Sequence, residues 1–102
     1  MKIFWTEFAS QSLFEIFHYY KDAAGVTVAN RIKTRIFIAT RQLSKQPESG
    51  QIEITLQRLN EGHRYLVCGN YKIIYKRIDH NILITDIFDT RQDPIKITRS
   101  KK

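Results

Sequence analysis

The chain has 102 residues, 42% of them hydrophobic and 26% charged, a composition that excludes intrinsic disorder and bounds a single domain with a modest core. Its one cysteine excludes an internal disulfide and any paired zinc spacing, and no apolar run approaches the ~20 residues of a membrane helix. Seventeen Lys and Arg against ten Asp and Glu leave a formal charge of +7 and a pI near 9.8, which favours a negative partner, nucleic acid or acidic protein, without choosing between them. Lys2 precedes a short apolar run, but Glu7 follows it and no small-residue cleavage site does. A cytoplasmic protein without a secretory signal is expected.

In chain order, Lys2–Trp5 reads as a short strand. Thr6 is a suitable N-cap and Glu7 an acid in the first turn of a helix running to about Asp22. Ala9, Leu13, Ile16, Phe17 and Tyr20 share one face of it. Ala23-Ala24-Gly25 should end this helix in a left-handed glycine, with Thr27 capping the next. The second helix has the cleanest pattern in the chain. Ala29, Ile32, Ile36, Ala39 and Leu43 alternate spacings of three and four, the seam of a helix lying along another helix. A helical hairpin joined by a tight glycine turn follows. Pro47 and Gly50 stop it and open a polar loop over Gln46–Gln51, and Ile52–Leu56 is a short strand or an extended lead-in.

Three strands then follow: Arg64–Cys68, Tyr71–Ile78 and Ile82–Asp89, broken at Gly69-Asn70 and Asp79-His80-Asn81. The last two carry apolar residues on both faces: Ile73 and Tyr75 against Ile74 and Ile78, Ile82 and Ile84 against Leu83 and Ile87. Such strands belong in the middle of a sheet. The hairpin must cover one face; the other is expected to be partly buried and rimmed by cations, with a basic, irregular tail over 95–102. The whole chain, 1–102, is one α+β domain of βααβββ order, a helical hairpin on a small, mostly antiparallel sheet.

Charge is unevenly placed. Val26 to Gln46 holds Arg31, Lys33, Arg35, Arg41 and Lys45 and no acid, and Lys96 to Lys102 holds four more cations. The meander carries Arg64, Lys72, Lys76, Arg77 and, past its last strand, Arg91. Tyr65, Tyr71 and Tyr75 could stack on bases, although aromatics in a small sheet are more often core or cross-strand partners. Cys68 reads as a small hydrophobe. His63 beside a turn reads as an exposed bystander rather than a proton carrier, and no His/Cys/Asp spacing suggests a metal.

The βααβββ order, the aromatic before the first helix, the Pro47/Gly50 loop, GHRYLVCGNYKIIYK and the following DIFDTRQDP resemble the RelE/ParE superfamily of bacterial toxins over nearly the whole chain. The resemblance implies the toxin of a type II toxin–antitoxin pair, without cofactor or metal, in a hetero-oligomer with an acidic cognate antitoxin. RelE-like members cut mRNA in the ribosomal A site. ParE-like members share the fold, lack the nuclease residues and poison DNA gyrase. Arg64, Lys72 and Arg91 resemble the cationic positions of the RelE-like site, with Lys72 replacing a forked guanidinium by a point charge. The proton-transfer group is missing: where those nucleases place Tyr or His after the last strand, Arg91–Thr98 has Ile97. The ParE-like reading is therefore preferred over the RelE-like nuclease, with a toxin-fold protein serving only as a complex-forming partner as a third class. Arg31, Arg35, Lys76, Arg77, Lys96 and Arg99 are the expected contacts for antitoxin or nucleic acid.

Overall fold

The computed structural model describes residues 1–101, with side chains to Arg99. The chain runs β1 (Ile3–Trp5), α1 (Glu7–Ala24), α2 (Val26–Gln42), β2 (Gln51–Ile52), a 3₁₀ segment (Ile54–Leu59), β3 (Arg64–Cys68), β4 (Tyr71–Ile78), β5 (Asn81–Asp89) and a second 3₁₀ segment (Pro94–Lys101). The five strands form one sheet in the order β1-β5-β4-β3-β2. β1 lies parallel to β5, and every other pairing is antiparallel.

Thr6 caps α1 as its residue type predicts, its hydroxyl accepting from the Ala9 N–H at 3.0 Å. The link to α2 differs from expectation. Gly25 alone joins the helices, at φ 93° and ψ 165°, and α2 starts at Val26 with no side-chain cap, so Thr27 is already inside it. A positive φ outside the left-handed helical well is open to glycine and little else. The seam behaves as its spacing requires: Ala9, Leu13, Ile36 and Leu43 are buried with Tyr71, Ile73, Tyr75, Ile82, Ile84 and Ile87 of the sheet. Ala29 is fully buried where the helices touch. Each large aliphatic group here contributes about 1.5–3 kcal/mol by leaving water.

The sheet's second face is not left half-open. Leu56 of the first 3₁₀ segment and Ile97 of the second bury Ile74 and Phe88, with Leu59 and Tyr65 at the margin. The C-terminal stretch is therefore ordered cover rather than an irregular tail, and the expected strand at Ile52–Leu56 is two residues of β2 followed by 3₁₀ turn. One irregularity assigns the faces. Ile74 pairs with Asp86 and Tyr75 with Ile84, leaving Thr85 as an extra residue in β5. Parity reverses there, so Ile87 joins Ile82 and Ile84 against the hairpin rather than Leu83.

The loop after α2 is held from the sheet. The Tyr75 hydroxyl donates to the Pro47 carbonyl at 2.8 Å and accepts from the Gly50 N–H at 3.0 Å. A Cβ at Gly50 would stand 2.5 Å from the Tyr75 Oη and 2.7 Å from the Tyr65 carbonyl oxygen. Gly50→Ala should therefore lose about 1–3 kcal/mol by overpacking. A lowered urea midpoint would show it; an unchanged midpoint would mean the loop yields freely.

Candidate functional site

Residues directly opposite in neighbouring strands share a face. Arg64 stands opposite Tyr75, on the hairpin side, whereas Lys72 stands opposite Val67 and Phe88, on the 3₁₀ side. Arg91 lies beyond both, in the turn after β5. Each is held by its own partners. Arg64 Nη1 donates to the Gly50 carbonyl at 2.8 Å and Nη2 lies 3.6 Å from Glu48. Lys72 Nζ donates to Glu53 at 2.9 Å and sits 4.2 Å above the Tyr65 ring. Arg91 clasps Asp89 with two hydrogen bonds, at 2.9 and 2.7 Å. The three expected nuclease cations are not brought together: no single phosphate can be enclosed by groups on opposite faces of a sheet.

The expected binding cations divide similarly. Lys76 donates to Glu61 at 2.8 Å on the 3₁₀ side, and Arg77 reaches Glu48 at 3.4 Å. Arg99 points inward, 3.3 Å from buried Asp86, its guanidinium 5.3 Å from the Phe8 and Phe88 rings. Lys96 is exposed on the C-terminal segment. Arg31 and Arg35 are exposed one turn apart on α2. His63, expected to be exposed, is buried, with Nε2 3.8 Å from Glu61. Cys68 packs against the main core and burial pushes its thiol up, away from the thiolate.

Two concavities were not foreseen. An open cleft of about 410 Å³ lies between α1 and the end of β5, lined by Glu15, Tyr19, Tyr71, Asp89 and Arg91 among others. Burial, and then the hydrogen bond to the Tyr20 hydroxyl at 3.4 Å, push the Tyr71 phenol upward, so it stays neutral. A larger apolar groove, about 550 Å³, runs beside β1 between Trp5, Leu13, Phe14, Phe17, Lys33 and Phe37. Phe14 is 57% exposed there. Its sequence signal was available: Phe14 and Phe37 are large aromatics off the two helix seams, where packing does not require them.

Glu53 is only 3% exposed, and its carboxylate is held by the Lys72 ammonium at 2.9 Å and the Thr55 N–H at 3.1 Å. Lys72→Met should destabilise the fold by about 3 kcal/mol, and adding Glu53→Gln should recover much of that loss. Denaturation of both variants checks it; equal losses would show that the pair is not coupled. Asp89 gives a pH signature. The Arg91 side-chain hydrogen bonds hold its carboxyl below the usual carboxylate range. A depressed folded value stabilises above the unfolded pKa of about 3.9 and is lost as pH falls through the folded one. Asp89→Asn should flatten the stability profile below about pH 4, read from midpoints across an acid series.

The comparisons with known proteins agree with this architecture. No curated protein matches the sequence. A solved chain described as the chromosomal ParDE TA system from P. aeruginosa shares the fold, with a TM-score of 0.72 at 18% identity over 87% of this chain and 95% of that one. The family model for the ParE toxin of the type II toxin–antitoxin system parDE matches residues 3–94. With nearly the whole chain matched, from β1 to the start of the C-terminal 3₁₀ segment, this protein belongs to the ParE toxin family.

Proposed function

We propose that this toxin acts by binding rather than by cleaving RNA: it poisons DNA gyrase in the cytoplasm and is neutralised by an acidic cognate antitoxin. The separation of Arg64, Lys72 and Arg91 carries this reading. RNA cleavage without a metal needs cations gathered round one phosphate and a group to move the proton. Here the cations face different ways, each tied to a protein oxygen. Ile97, at the position where a nuclease would carry Tyr or His, is fully buried in the second core. Family membership supports the same choice.

The apolar groove supports the antitoxin half. Exposed Phe14 and Phe37 next to Trp5 offer anchors for apolar side chains, and Lys33 at the groove's margin favours acids beside them. An acidic segment with a few large apolar residues is the complementary chemistry.

Added to purified gyrase, the protein should block supercoiling and accumulate cleaved DNA. Identical supercoiling and cleavage with and without it would remove the gyrase reading. On programmed ribosomes it should leave mRNA intact; A-site cuts that vanish in Arg91→Ala would transfer the assignment to the nuclease branch.

A further inference from the structure

Among the described residues, α2 carries more cations without a carboxylate partner than any other element. The sheet's cations are answered locally, Arg64 and Arg77 by Glu48, Lys72 by Glu53, Lys76 by Glu61 and Arg91 by Asp89. α2 contains no acid. Among the described residues, none of its cations pairs with a carboxylate. Opposite its buried seam, the helix turns Asn30, Arg31, Thr34, Ile38 and Arg41 to solvent, all exposed.

The chemistry of that face selects a partner. Guanidinium, amide and hydroxyl groups are the donors that hold phosphate oxygens, and no carboxylate opposes a polyanion. A protein partner would want an apolar or aromatic centre, which this molecule places elsewhere, at Phe14 and Phe37. The outer face has one aliphatic residue, Ile38. Arg31 and Arg41 are ten positions apart, roughly 15 Å along the axis, enough to reach both rims of a major groove about 12 Å wide.

We propose that the outer face of α2 binds the phosphate backbone of duplex DNA, Arg31 and Arg41 taking phosphates on opposite sides of a groove. The contact is not base-specific, so it suits a toxin that meets DNA wherever the topoisomerase holds it; only this last step rests on the gyrase reading. The antitoxin's apolar groove and the DNA face are then separate surfaces on neighbouring sides of α2.

The test is fluorescence anisotropy of a short labelled DNA duplex, titrated with the full chain over a salt series. Each phosphate contact adds about 0.9 to the slope of log affinity against log salt. Arg31→Gln with Arg41→Gln should lower the slope by about 1.8 and weaken low-salt binding about tenfold. The double Arg→Lys variant, which keeps both charges, should retain the slope, and so should Lys76→Gln, whose ammonium is held by Glu61. Both arginines are exposed, so unchanged circular dichroism should accompany the loss. An unaltered slope in the double Gln variant overturns the proposal. Equally tight binding of labelled poly-glutamate also overturns it, by making the face an acidic-protein contact. Supercoiling assays separate the two readings. If the wild type binds DNA through α2 yet leaves gyrase unaffected, the gyrase reading falls and the surface stands. If gyrase is inhibited while the double Gln variant keeps its slope, the surface falls and the gyrase reading stands.

Discussion

One extra residue in β5 determines what every later side chain can reach. Between the Tyr75–Ile84 and Ile74–Asp86 pairs, Thr85 has no opposite number, and its hydroxyl donates to the Ile74 carbonyl at 3.3 Å. Without that bulge the alternation would carry Ile87 and Asp89 to the 3₁₀ side and Asp86 to the hairpin side. With it, Ile87 completes the core under the helices and Phe88 fills the second core. Asp86 is turned toward Arg99, and Asp89 emerges where Arg91 can clasp it. The bulged stretch is tied to the start of the chain as well, through the Thr6 N–H and the Ile84 carbonyl at 3.0 Å.

The electrostatic division follows from this arrangement. A sheet with a helical layer on one side and 3₁₀ turns on the other has little free surface, so its strand cations must find carboxylates in the loops that cross them. Glu48, Glu53 and Glu61 lie in those crossings and supply them. What remains of the +7 charge is displaced outward, much of it onto α2, whose exposed side has no acid within reach of a turn. The strand cations are thus committed to the protein's own architecture.

How much of this was legible in the sequence depended on range. The hairpin seam was, because Ala29, Ile32, Ile36, Ala39 and Leu43 repeat a helical period that only a packed helix needs. The two hairpin turns were, because Gly69-Asn70 and Asp79-His80 are turn chemistry, and Gly69 and Asp79 do take positive φ. The bulge was not: Ile82 and Ile84 on one parity and Leu83 and Ile87 on the other mark neither face as the core side, so a slipped register leaves no record. Cover by the 3₁₀ segments was hidden for a related reason, since Leu56 and Ile97 are sparse apolar residues among polar ones. Arg91 finds Asp89 two positions away, but the partners of Arg64 and Lys72 were hidden because they are distant in sequence. Lys72 and Glu53 are nineteen positions apart and joined by no local motif. A place beside a turn implies exposure for His63, yet the fold leaves it only 3% exposed with Glu61 3.8 Å away.

The guanidinium of Arg99 closes the molecule at its far end. Lying between the Phe8 and Phe88 rings and bonded to Asp86, it joins the start of the first helix, the last strand and the C-terminal turn in one stack. Asp86 is wholly secluded from solvent, and the Arg99 guanidinium reaches it at 3.3 Å. Arg99 and Ile97 therefore serve as a stopper: Asp86 and the apolar cluster of Leu56, Ile74 and Phe88 are sheltered only while the turn that carries them stays in place.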